Sequence, residues 1–286
     1  MRRRACLILI AMLCGCVGRE SLSQQQQASA GPTSSASATA PVTVAAGDPQ
    51  VIEAEGCYNN EPAPAQYQPF SCQLKQPVPA GDGVKVIYWT NADTTLSTNT
   101  VTVSDPSQTS YLPVVSVPRA GSTNDMIWIA SGVASTASPS LVVTVNPGNT
   151  APTSPTTPEI TIRAIVVVHT FGGNSFKDVV SSGCVAPPTS APGPCLPILG
   201  PSLSPAVNDL VFVVGLSDQP IFNANSISSP WALAWTSSDV GTGLGYFVVG
   251  YVANTASRLQ PGLAISQSQL NTNFGWTWTA VEASFD

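Results

Sequence analysis

Positive charge is scarce in this chain. Ten Lys and Arg stand against 16 Asp and Glu in 286 residues, for a net charge of −6. Three of the ten, Arg2, Arg3 and Arg4, sit together at the start and would be lost with a cleaved leader. Polyphosphate backbones are held by clustered Lys and Arg, so the composition argues against nucleic-acid binding. The glycine-rich GTGLG at 241–245 lacks the strand-to-helix context and the Lys of a nucleotide loop, and reads as a turn before a strand. Long apolar runs are missing too: the stretch Ala5–Leu13 is too short to cross a bilayer as a helix, and no later one is longer. Nowhere does apolar spacing follow a convincing helical period.

Chemistry-bearing residues are equally sparse. His169 is the only histidine. It follows Ile165, Val166, Val167 and Val168 at a strand end, where a hydrogen-bonded structural imidazole is the usual outcome, and no G-x-S-x-G elbow accompanies it. Asp93, Asp105, Asp125, Asp178, Asp209, Asp218, Asp239 and Glu282 fall mostly in turns, where Asp bonds nearby amides. No spacing singles out a glycosidase-like pair. Asn124 with Asp125, or Asp105, could contribute to a calcium site, but neither shows the dense ligand spacing of a calcium loop. The expectation is no catalytic residue, no metal and no cofactor.

What is present is a series of short apolar runs punctuated by Gly, Pro, Asn and Ser. VKVIYWT (84–90), NTVTVS (99–104), YLPVVSV (111–117), MIWIAS (126–131) and SLVVTV (140–145) come first. ITIRAIVVVHTF (160–171), DLVFVVG (209–215), WALAWTS (231–237), GYFVVGYVA (245–253) and GWTWTAVEASF (275–285) follow. Strands at this spacing predict an all-β fold, a two-sheet antiparallel sandwich of jelly-roll or immunoglobulin-like form. In NTVTVS, Val101 and Val103 alternate with Thr, as on a sheet with one wet face. The Pro-rich segments 146–158 and 187–205 read as long surface loops.

The first fifty residues speak of compartment. Arg2, Arg3 and Arg4 followed by Ala5–Leu13 form the charged and apolar parts of an export signal. Leu13, Cys14, Gly15 and Cys16 then place an aliphatic residue three before a cysteine and a small one just before it. This LCGC resembles the lipobox of bacterial lipoproteins. The resemblance implies cleavage after Gly15 and acylation of Cys16, which two or more acyl chains would hold stably on a membrane. By the same resemblance Val17, in place of Asp, implies the outer membrane. The Ser-, Gln- and Ala-rich stretch that follows, with Gln24–Gln27 in a row, cannot bury enough apolar surface to order itself. The expected organisation is a signal peptide at 1–15, an acylated tether at 16–50 and a β-sandwich domain at 51–286.

With Cys16 set aside for lipid, Cys57, Cys72, Cys184 and Cys195 remain, an even number for an oxidising compartment. Four cysteines allow three pairings, and proximity favours Cys57 with Cys72 and Cys184 with Cys195. A metal site is disfavoured by the absence of C-x-x-C and the single histidine.

Across roughly residues 80–286, the order VTVSDPSQTSYLPV, NDMIWIAS, SLVVTV, AIVVVHTFGG, DVVSSGC, DLVFVVG and WTWTAVEASF resembles a β-sandwich domain recurring in bacterial secreted proteins of unassigned function. Gln108, Thr109 and Ser110 depart from that pattern's Gly-Asn-Thr turn, and His169–Gly172 from its Glu-Tyr-Ser-Gly strand end. No site residues follow from the resemblance. From the residues themselves, Trp276 and Trp278 are two apart and share one strand face, opposite Val281, Ala283 and Phe285. Trp231 and Trp235 could extend them into a ligand platform, against the usual role of aromatics in sandwich cores. The functional expectation is a lipid-anchored, non-enzymatic envelope module with the membrane as one partner and carbohydrate or protein as another. A hydrolase or lyase acting on an envelope or extracellular polymer is the alternative.

Overall fold

A computed structural model describes residues 48–61, 65–92, 101–122, 124–148, 160–186, 203–219, 221–222, 224–227, 229–237, 246–253, 263 and 276–286. All belong to one compact unit, Val44–Asp286. Its strands are β1 (Gln50–Tyr58), β2 (Phe70–Gln73), β3 (Gly83–Ala92), β4 (Thr102–Ser104), β5 (Leu112–Pro118), β6 (Asp125–Val133), β7 (Val142–Asn146) and β8 (Ile160–Phe171). Then come β9 (Phe176–Ala186), β10 (Leu210–Ser217), β11 (Ala232–Thr236), β12 (Tyr246–Ala253) and β13 (Trp276–Phe285).

The fold is an all-β antiparallel sandwich. One five-stranded sheet runs β1-β8-β3-β6-β5 and faces a second, β11-β12-β10-β13-β9. The chain thus builds one large sheet from its first half and the other from its second. It crosses between them at Gly172–Gly173, both with left-handed φ, 69° and 62°, a conformation that a side chain disfavours. A third, three-stranded sheet, β2-β7-β4, covers the outer face of the first.

Three apolar layers result. Between the large sheets, Ile87, Trp89, Ile127, Ile129, Val166 and Val168 meet Phe212, Val214, Phe247, Val281, Ala283 and Phe285. Outside the first sheet, Val84, Val86, Tyr88, Trp128, Ile165 and Val167 pack on Leu74, Val143 and Val145. Outside the second, Val211, Val213, Val248, Trp278 and Ala280 are covered by Leu203, Ile221, Phe222 and Trp231. Strands β3, β6, β8 and β10 are therefore buried on both faces, which is why they read as nearly continuous apolar runs. Each fully buried Val, Ile, Leu or Phe contributes about 1.5–3 kcal/mol to that arrangement. Alternation survives in the thin sheet and at the edges of the large ones: Val103 of β4 is half-buried between exposed Thr102 and Ser104, and in β5 Val115 and Val117 are covered while Ser116 and Pro118 are exposed.

The central strands fall where the apolar runs predict. Three strands do not. In β1, the register shifts between Val51 and Glu53, so a bulge breaks the period of two, and Glu53 and Glu55 interrupt what remains. β2 has only four residues. β9 is an edge strand paired along β13, half exposed and rich in Ser. The Pro-rich segments expected as loops lie, for residues 149–159 and 187–202, outside the described residues.

Candidate functional site

Among the described side chains the tryptophans take the core role and not that of a surface platform. Trp231 and Trp278 are each 5% exposed and sit in the layer beneath the covering loops. Trp235 packs into the opposite layer, between the sheets, with its indole against Gly56. The register of β11 shifts between Leu233 and Trp235; this bulge cancels the shared face that a four-residue separation would give Trp231 and Trp235 on a regular strand. The two-faced reading of β13 holds at Trp278, which lies opposite Val281, Ala283 and Phe285. Only the backbone of Trp276 is described.

Cys57 and Cys72 are bridged, with Cα atoms 5.6 Å apart, tying β1 to β2 across two sheets. Cys184 is also disulfide-bonded. Cys195 and Cys16 lie outside the described residues.

Most buried polar groups stitch strands together. Asp125 accepts hydrogen bonds from Trp89 Nε1 at 3.1 Å, Asn91 Nδ2 at 2.7 Å and Arg119 Nε at 3.0 Å. The same guanidinium reaches Asp218 at 3.0 Å and Thr277 Oγ1, both belonging to the second sheet's end of the sandwich. Arg119 thus joins the two sheets. Asp105 accepts from the Tyr111 hydroxyl at 2.7 Å, and burial, with Asp105 adding to it, pushes that hydroxyl's pKa upward. His169 is 2% exposed and its Nε2 lies 2.7 Å from Asp82 Oδ2. Among the described residues no group of three or more His, Cys, Asp or Glu could hold a metal ion.

One end of the sandwich is different. Lys85, the third residue of β3, points between the large sheets, is 0% exposed, and holds its Nζ 5.0 Å from the Phe285 ring centroid. Around the same spot lie Thr170 Oγ1 at the end of β8 and Asn174 Oδ1 in the turn that follows. All three atoms sit within 3.2 Å of the position that a Cβ on Gly83 would take. None of the three has a hydrogen-bond partner among the described residues. Gly83 keeps the space among them free of a side chain. Burial without a counter-charge lowers the pKa of Lys85 from 10.5 to about 8.

A cleft of about 290 Å³ opens beside this cage, walled by the Gly172–Asn174 turn on one side and Asn208–Asp209 on the other. Asn174 belongs to both. Across the cleft Lys177 Nζ lies 3.0 Å from Asp286 Oδ2 and 3.5 Å from Asp209 Oδ1. The Asp286 bond raises the Lys177 pKa and lowers that of Asp286. Apart from Asp209, already noted as a turn residue, this cluster escaped sequence reasoning. A single Lys inside VKVIYW was its one visible sign.

Neither a family model, nor a curated protein, nor a solved structure matches the chain.

Proposed function

We propose that this chain is a lipid-anchored, non-enzymatic module of the bacterial envelope, acylated at Cys16, carried on a flexible tether at the outer membrane, and serving adhesion, carbohydrate contact or envelope assembly. The observation that carries the reading is the cage and cleft at the end of the sandwich. Its unsatisfied groups are an amine and a hydroxyl on strands β3 and β8 and a carboxamide in the turn after β8, all of which hold ligands by hydrogen bonds. His169 and Asp82 engage each other, and His169 follows the opposite face of β8 from Thr170. The LCGC leader, the low charge and the even number of remaining cysteines support an exported, tethered module.

Two measurements test this reading. Metabolic labelling with a palmitate analogue should mark the wild type and spare Cys16→Ser; label retained by the variant, or never taken up by the wild type, removes the anchor. A glycan array probed with the purified protein should show binding without release of reducing ends from the bound polymer. Reducing ends appearing with time would replace the module with a hydrolase or lyase, and an empty array would remove the carbohydrate branch.

A further inference from the structure

We propose that the Lys85–Thr170–Asn174 cage is a receptor for one hydroxyl group of a neutral sugar, whose ring occupies the adjoining cleft. The inference rests on the carbohydrate branch of the reading above and names where and how that contact is made.

The donor and acceptor inventory selects the ligand. The Lys85 ammonium only donates, the Asn174 carbonyl oxygen only accepts, and the Thr170 hydroxyl does either. A single group that satisfies all three must accept from Lys85 and donate to Asn174 at one atom. A hydroxyl does this. A carboxylate would turn lone pairs toward Asn174 Oδ1, and an ammonium would face Lys85. Leaving such groups unpaired costs about 1–3 kcal/mol each, so a ligand group that enters the cage must satisfy all three.

The cleft fits the rest of such a molecule. Asp209 and Asp286 offer carboxylate oxygens to further hydroxyls, while Pro49 and Val207 supply apolar surface for the C–H face of a ring. The side chains of the cleft carry a net charge of −1, one lysine against two carboxylates, which disfavours an acidic ligand. At about 290 Å³ the space is at the small end of ligand pockets and matches a single ring better than an extended chain. Asn174, shared by cage and cleft, is the side chain that must move to admit the hydroxyl.

The test is an NMR titration of the purified protein with glucose, galactose, mannose and N-acetylglucosamine at up to tens of millimolar. At least one should shift the Asn174 side-chain amide together with the Gly172 and Gly173 backbone amides. Lys85→Met, in which a side chain of similar length keeps the packing, should weaken that binding about tenfold or more, the scale of a lost hydrogen bond to a charged group. Asn174→Ala, on a surface turn, should do the same, and Gly83→Ala should abolish binding by filling the cage. Shifts that map elsewhere and survive Lys85→Met overturn this site while leaving the carbohydrate reading in place. If no sugar shifts the turn, the site is refuted; a glycan array that still shows binding then confines the failure to this inference, and an empty array extends it to the carbohydrate branch.

Discussion

Lys85→Met should stabilise the protein at neutral pH, and the gain should fade as pH rises. The lysine lies in the central strand of the first sheet, fully buried, with neutral Thr170 and Asn174 and the Phe285 ring around its amine. Burial lowers its pKa from 10.5 to about 8. Each tenfold change in proton affinity is worth about 1.4 kcal/mol, so holding the cation inside the fold costs about 3 kcal/mol below pH 8. Between about pH 8 and 10.5 the folded protein has shed this proton while the unfolded chain still binds it. Stability of the wild type therefore rises with pH across that window, by the linkage between proton binding and folding. Methionine keeps the length of the side chain and removes the charge. Urea midpoints of the two proteins, compared at several pH values, should differ by about 3 kcal/mol at pH 7 and converge above about pH 10.5. Every other titrating group is common to both and cancels in the difference. A variant no more stable than wild type at pH 7, or an advantage that stays constant with pH, would refute the reasoning.

Two other perturbations follow from the same structure. Arg119→Met should destabilise by about 3–5 kcal/mol, because Asp125 is left buried without its cation; a denaturant midpoint within error of wild type would show that the guanidinium does not hold the sheets together. Replacing both Cys57 and Cys72 by Ser should cost about 3 kcal/mol, the loop-closure value for a separation of 15 residues, measured by urea unfolding without reductant. An unchanged midpoint would mean that pairing with β8 fixes β1 without help from the bridge.

The apolar runs carried most of the fold. VKVIYW, MIWIA, AIVVV and LVFVV were legible as strands because burial on both faces removes every polar position. Strand β1 was not, since its bulge and two glutamates erase the alternation that an edge strand would otherwise show. The third sheet escaped as a layer because β2, at four residues, is too short to display a period, and the alternation that NTVTVS does display cannot say which sheet its dry face covers. For the site, Trp231 and Trp278 take the core role that large aromatics usually have in a sandwich; spacing alone could not show which residues cover the outer face of the second sheet. The cage draws Gly83 and Lys85 from β3, Thr170 from β8 and Asn174 from the turn beyond, and only tertiary pairing brings Gly83 opposite Thr170.

The Cys57–Cys72 bridge also sets how the domain answers a mechanical pull. Tension on the chain ahead of Gln50 acts on the first residues of β1, which pair antiparallel with the end of β8 from Gln50 opposite Phe171 onward. Such a strand peels from its neighbour one residue pair at a time, the weakest way to hold a force. Peeling runs only as far as Cys57, where the bridge passes tension to β2 and, through its pairing, to β7. Beyond that point a pull must shear the small sheet off the large one instead of unzipping an edge, and the cage at the sandwich end lies at the margin that would open first.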